Sequence, residues 1–417
     1  MEISEARRTG LLGAPGAVAV AAVAMAAGAA QKLPCAGQPR RACYSDINFL
    51  WGARNLAAHV LPYVHGGIQG GRFVGHELEY PVLTGVFVWL CSLPARSAPV
   101  FIVVTMLALF PFGLLTAWLL ERMAGRRALY FCAAPTLVWY AFLNWDLLGV
   151  AAAVSGIYAW SRDRQWLAGG LLGVGACFKL WPGYLLLPLL LDLVCNRRYR
   201  DAVGALATAG LVALGANGPF MVANFGGWRA PFQFQTLRPA DASANSLWSL
   251  LLPGAHSVGF VDRLSGAVCV VATAAVAGLA IRRFRREGRF PFVQTGGAVV
   301  AVFVALGKVH SPQYALWILP FFALLRVSKG WWLLFLGSDV WLFYQFSGGY
   351  FSPLRHDWAI LLSDAVLLAF AVVAMRSEPA VVRAGGVTRP SPAAGRWGEE
   401  AAAAMPVLAP SGADLLG

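Results

Sequence analysis

Pro99-Val-Phe-Ile-Val-Val-Thr-Met-Leu-Ala-Leu-Phe-Pro-Phe-Gly-Leu-Leu-Thr-Ala-Trp-Leu-Leu120 has no charged residue on any face and is long enough to cross a bilayer core of about 30 Å as one helix. A surface helix of a soluble domain keeps a polar outer stripe; this stretch has none, and Gly204 to Val222 repeats the pattern. Such runs recur along all 417 residues, which are 58% hydrophobic and 13% charged with a mean hydropathy of +0.62. The chain reads as an all-α polytopic membrane protein.

A net charge of +13 raises the question of nucleic acid. The basic residues stand instead in short clusters between apolar runs, among them Arg122/Arg126/Arg127, Arg197/Arg198/Arg200 and Arg282/Arg283/Arg285/Arg286/Arg289. That is the positive-inside pattern of a multi-pass plasma-membrane protein, and no nucleic-acid partner is expected.

With the N-terminus inside, the first apolar run, about residues 11–30, delivers a large first outer loop, residues 31–80. The run is read as a retained span rather than a cleaved signal peptide, because it orients everything after it. The return path, about 81–120, is twice the length of one crossing. Two crossings there would put Glu121 to Arg127 outside and invert every later basic loop, so 81–94 is expected to lie shallow and about 98–120 to cross. Further crossings at about 127–143, 145–160, 166–178, 180–195, 201–222, 264–281, 292–307, 312–326, 330–346 and 357–375 give about 12, with both termini cytoplasmic. Residues 1–375 form one transmembrane domain. In 376–417 Pro, Ala, Gly and scattered charges replace the apolar period, which predicts a disordered cytoplasmic tail.

This topology collects the unusual polar residues on the outer face: Asp46, Glu79, Tyr80, Asn144, Asp146, Lys179, Asn245, Lys308, His310 and Gln313. The hairpins 127–160 and 166–195 are too short for two full spans, so their turns at Asn144–Asp146 and Lys179 should be recessed and face protein or water. Ser311-Pro312, Lys179-Leu-Trp-Pro182 and Tyr80-Pro81 start inward-running helices, whose positive dipole ends suit an anion, phosphate above all, beside Lys179, Lys308 and His310. Plainer readings stand beside these: the lysines can snorkel, Asn144 and Asp146 can cap helices, and His310 can be a satisfied polar residue. Asp46 gains least structurally from its place and has the strongest functional case. Cys35 and Cys43 share the outer loop and can bridge on an oxidising face, while no cysteine or histidine spacing marks a metal site. Catalysis without a divalent metal is expected, although Asp46 with Glu77 or Glu79 would be the set to hold one.

Six motifs carry a resemblance: Cys43-Tyr-Ser-Asp46, Glu79-Tyr-Pro-Val-Leu-Thr-Gly85, Asn144-Trp-Asp146-Leu-Leu, Phe178-Lys-Leu-Trp-Pro182, Asn245-Ser-Leu-Trp248 and Lys308-Val-His-Ser-Pro-Gln-Tyr314. Together they resemble glycosyltransferase family 87, membrane enzymes of GT-C type typified by actinobacterial polyprenyl-phosphate-mannose-dependent α-mannosyltransferases. The resemblance implies a polyprenyl-phosphate sugar donor, an acceptor at the outer leaflet, and inversion with an aspartate of the first outer loop as base. By motif that base is Asp46, and His310 lies near the donor phosphate or supports the base. The Gly-rich loop from Tyr63 to Phe73 matches no sugar-recognition element. The chemistry fits the inventory, since a phosphate leaving group needs one base and a positive clamp rather than a carboxylate pair. The competing reading is a secondary transporter or lipid flippase, which would spread its polar residues through the bilayer rather than gather them on one face.

Overall fold

The computed structural model describes residues 16–37, 43–241, 244–252, 257–347 and 353–381. Most of the expected tail, from residue 382 on, lies outside the described residues. The rest is helical apart from one small hairpin. Among the described residues five helical segments are long and apolar enough to cross a membrane: Ala17–Cys35, Ala98–Cys132, Tyr199–Ala223, Val258–Glu287 and His356–Arg376. Two of them present broad apolar surface outward, through Val203, Leu206, Leu211 and Leu214 on one and Val270, Val271 and Leu279 on the other. Surface of that extent suits lipid.

The shorter apolar helices Val82–Ser92, Asp146–Ser161, Gln165–Phe178, Trp181–Cys195, Phe292–Leu306 and Pro312–Leu324 pack inside this frame. Phe292–Leu306 is buried almost all round, between Pro353–Arg376, Val258–Glu287 and Ala315–Leu324. Gln165–Phe178 packs on Tyr199–Ala223 through small residues. A Cβ on Gly169 would lie 2.1 Å from the Ala205 carbonyl oxygen, and one on Gly173 would lie 2.9 Å from Ala209 Cα, so both positions exclude any side chain.

The expected span 127–143 is not one helix. It is a 3₁₀ turn Gly125–Ala128 followed by the short helices Leu129–Cys132 and Pro135–Tyr140. Pro135 removes a backbone donor and drives Ala134 into an extended conformation, which ends the preceding turn. Arg127, at the start of this segment, donates to the carbonyls of Phe322 (2.9 Å), Ala323 (3.2 Å) and Leu325, and so caps Ala315–Leu324.

The segments between the apolar helices carry further elements. Asp46–Ala53 is a helix, and Gly67–Gln69 pairs antiparallel with Arg72–Val74 across Gly70-Gly71. Both turn glycines have positive φ, 55° and 78°, as a tight two-residue hairpin turn requires. Above the hairpin lies an outer helix, Phe225–Leu237. Asn224 caps it through the Gly227 amide (3.1 Å) and donates to the Gly66 carbonyl (2.8 Å), which ties its start to the base of the hairpin.

Candidate active site

Backbone contacts bring the first motif onto the third. Ser45 Oγ donates to the Phe142 carbonyl (2.8 Å), and the Asp46 amide donates to the Leu143 carbonyl (2.8 Å). Lys32 Nζ donates to the Tyr44 carbonyl (2.7 Å), and Cys35 is paired with Cys43. Asn48 Nδ2 donates to the Cys35 carbonyl (2.8 Å), so the segment before Asp46 is pinned on both sides. Asp46 then opens its helix with its carboxylate held between Tyr44 Oη (2.6 Å) and Asn144 Nδ2 (2.6 Å). It keeps part of its surface open. Burial by the crowded surroundings pushes its pKa above the ordinary 3.8, against the pull of Tyr44, Asn144 and the Lys179 charge, and the Glu79 carboxylate pushes the same way as burial.

Asn144 is the hub. Its Nδ2 also donates to Tyr80 Oη (2.8 Å), and its Oδ1 accepts from the Trp145 amide (2.6 Å) and from Lys179 Nζ (3.0 Å). Lys179 lies 3.4 Å from Asp146 Oδ1 and 4.7 Å from the centre of the Tyr80 ring. Thr84 Oγ1 holds the Phe178 carbonyl (2.6 Å), which sets where Lys179 starts. Asn144, Asp146 and Lys179 are all buried, the last at 9% exposure. Their turns therefore face protein, as backbone turning at depth demands. Asp146 Oδ1 accepts from Trp317 Nε1 (2.8 Å), and Trp317 is stacked between Trp181 and Tyr314. Asp146 Oδ2 is buried with no hydrogen-bond partner among the described residues.

Glu79 pairs with Arg54 (3.0 Å), whose guanidinium also lies over Phe73, and Phe73 stacks on Phe234 of the outer helix. Gln235 Nε2 meets the Glu79 carbonyl at 3.4 Å. Between the hairpin and the outer helix is a cleft of about 230 Å³ lined by His65, Gln69, Arg229 and Gln233 among others. Behind the lining residue Gly66 stands Glu77, which accepts the Tyr63 amide (2.8 Å) and whose pKa burial pushes up to about 7.

The other predicted residues form a second cluster. His310 Nδ1 is 2.7 Å from Asp364 Oδ1, and the His310 amide donates to the Ala244 carbonyl (2.7 Å), so this motif lies against Asn245-Ser-Leu-Trp248. Asn245 Oδ1 meets His356 Nε2 at 2.7 Å, and Gln313 Oε1 accepts from Ser311 (2.7 Å). Lys308 Nζ spends all three donors on Asp262 (2.6 Å) and the carbonyls of Gln235 (2.7 Å) and Thr236 (3.1 Å). That geometry caps the C-terminus of the outer helix and leaves the lysine no donor for a phosphate. Among the described residues neither His310 nor Lys308 is hydrogen bonded to Asp46; Tyr314 and Trp317 link the two clusters. Sequence reasoning missed Tyr44, Arg54, Asp364 and Arg238, the last within electrostatic reach of both Tyr44 and Tyr314. Asp364 left a signal, an acid inside an apolar span.

The sequence model of glycosyltransferase family 87 matches residues 79–306, more than half of the chain. The chain belongs to glycosyltransferase family 87. It is a membrane glycosyltransferase, and the transport reading gives way. The match takes in Glu79, Tyr80, Asn144, Asp146, Lys179 and Asn245, while Asp46 lies before it and His310 after it. No curated protein matches the chain.

Proposed function

We propose that this family 87 enzyme transfers mannose, with inversion, from a polyprenyl-phosphate donor to a cell-envelope glycolipid or polysaccharide at the outer face of the plasma membrane. The observation that carries the proposal is the Asp46 carboxylate: gripped from two sides, raised in pKa, yet partly open. A carboxylate so placed can take the proton of an acceptor hydroxyl while Tyr44 and Asn144 fix its direction. Lys179 and Arg238 supply positive charge for the departing phosphate, His310 assists from the second cluster, and charge placed where it develops in the transition state is worth about 3 kcal/mol per group. The acceptor glycan would approach along the cleft lined by Gln69, Arg229 and Gln233.

No group of three His, Cys, Asp or Glu side chains suited to a metal occurs among the described residues, and in this reading a divalent ion is not part of the reaction. The test uses purified enzyme in nanodiscs with a membrane glycolipid extract, offered labelled mannose on polyprenyl phosphate or on a nucleoside diphosphate. Transfer from the lipid donor alone, with inverted anomeric configuration and no loss on adding EDTA, is the expected result. Transfer from the nucleotide donor, or retention, would overturn it.

A further inference from the structure

Two buried acids, Asp339 and Asp364, lie on the two C-terminal helices and a third, half-buried Asp262, lies on Val258–Glu287, and the transfer chemistry uses none of them. Asp339 on Lys329–Ser347 is held by Thr136 Oγ1 (2.8 Å) and Tyr140 Oη (3.0 Å), which satisfies it structurally. Asp262 is occupied with Lys308. Asp364 on Pro353–Arg376 is different, because its partner is the histidine of the Lys308-Val-His-Ser-Pro-Gln motif, at 2.7 Å. Both groups are buried, at 3% exposure for His310 and 2% for Asp364.

We propose that Asp364 is a positioning residue for the transfer: it commits His310 Nδ1 and so fixes the ring with Nε2 turned to the substrate. An ionised carboxylate only accepts, so the shared hydrogen sits on Nδ1, and which nitrogen remains for other work is thereby decided. Nε2 makes no hydrogen bond among the described residues. The His310 backbone is also held, by its amide on the Ala244 carbonyl, so the ring has little freedom once Nδ1 is held. A carboxylate within a membrane-spanning helix is costly and needs a reason beyond packing. The other charged groups around the ring are Asp339, within electrostatic reach from the neighbouring helix, and Lys308 on its own segment, already neutralised by Asp262. His356 faces Asn245 instead. The last span, beyond the family match at residue 306, thus contributes to the site.

The inference rests on His310 acting at the substrate, and its test separates the two. Asp364→Asn, His310→Gln and the double variant are assayed in nanodiscs for kcat, donor KM and the pH profile of kcat/KM, with a thermal melt of each. Orienting partners of this kind are worth on the order of 10–100-fold. Asp364→Asn should lower kcat by that factor with donor KM little changed, and should displace the pH limb that His310→Gln abolishes. The double variant should be no slower than His310→Gln alone, and Asp364→Glu should recover part of the rate. An impaired His310→Gln beside an Asp364→Asn with normal kcat, or a double variant whose losses multiply, would overturn the positioning role alone. Wild-type turnover by His310→Gln would overturn it together with the assignment of His310. Should Asp364→Asn fail to fold, Asp364→Ser, smaller and without a carboxylate, carries the same comparison with His310→Gln.

Discussion

At Asp46 two opposing sets of neighbours tune one proton. Burial and the Glu79 carboxylate raise its pKa, while Tyr44, Asn144 and Lys179 hold it down. A base works deprotonated, so kcat/KM should fall on the acid side through a pKa above 3.8. Removing a group that lowers the pKa moves that limb to higher pH, and removing one that raises it moves the limb to lower pH. Lys179→Met and Asn144→Ala should therefore shift the acid limb upward and Glu79→Gln downward, whatever each does to the maximal rate. Limbs that coincide in all three variants would mean that the titrating group is not Asp46. Asp46, Asn144 and Lys179 were legible from sequence because each is a polar residue at a turn between apolar runs, where only a partner or a substrate justifies it. Lys308 was not, because its partner Asp262 lies 46 residues earlier and nothing local announces the pair. For Asp364 the charge was visible and the partner was not, since only the folded bundle brings the last span to His310.

Helices pack here where glycine permits it. Gly169 faces the Ala205 backbone so closely that even a methyl group has no room, whereas a Cβ on Gly170 would meet Thr208 at an ordinary 3.8 Å. Gly169→Ala must part the two helices and should lower the melting temperature in detergent, while Gly170→Ala should leave it unchanged or raise it, alanine being favoured over glycine in a helix by about 1 kcal/mol. Equal melting temperatures for the two variants would refute this packing. The long spans were readable from their lack of polar faces. The break at Pro135 and the outer helix Phe225–Leu237 were not: 127–143 has the composition of a span but a proline in its middle, and 225–237 has only 13 residues of mixed polarity. Its stability comes from both ends, Asn224 on the Gly66 carbonyl and Lys308 on its last carbonyls, which are tertiary facts.

Taken whole, the molecule gathers the Asp46 cluster, the hairpin and the outer helix together, and sets basic residues at helix ends elsewhere: Arg162 and Arg164 between two helices, and Arg282 to Arg286 in the last turns of Val258–Glu287. The charge rule assigns these basic helix ends to the cytoplasm. With the five free cysteines replaced, a cysteine at the exposed Gln69 should react with a membrane-impermeant thiol reagent on intact cells and one at the exposed Glu287 should not. The opposite labelling would turn the enzyme over in the membrane and remove the lipid-linked donor from its site. The central claim is that Asp46 takes the acceptor proton, and single-turnover transfer by Asp46→Asn enzyme in nanodiscs, with donor binding measured on the same sample, tests it most directly. Asparagine keeps the shape and the contact with Tyr44 but cannot serve as a base. The predicted result is near-normal binding of polyprenyl-phosphate mannose with transfer reduced by at least about 100-fold; transfer at the wild-type rate from the bound donor would contradict it.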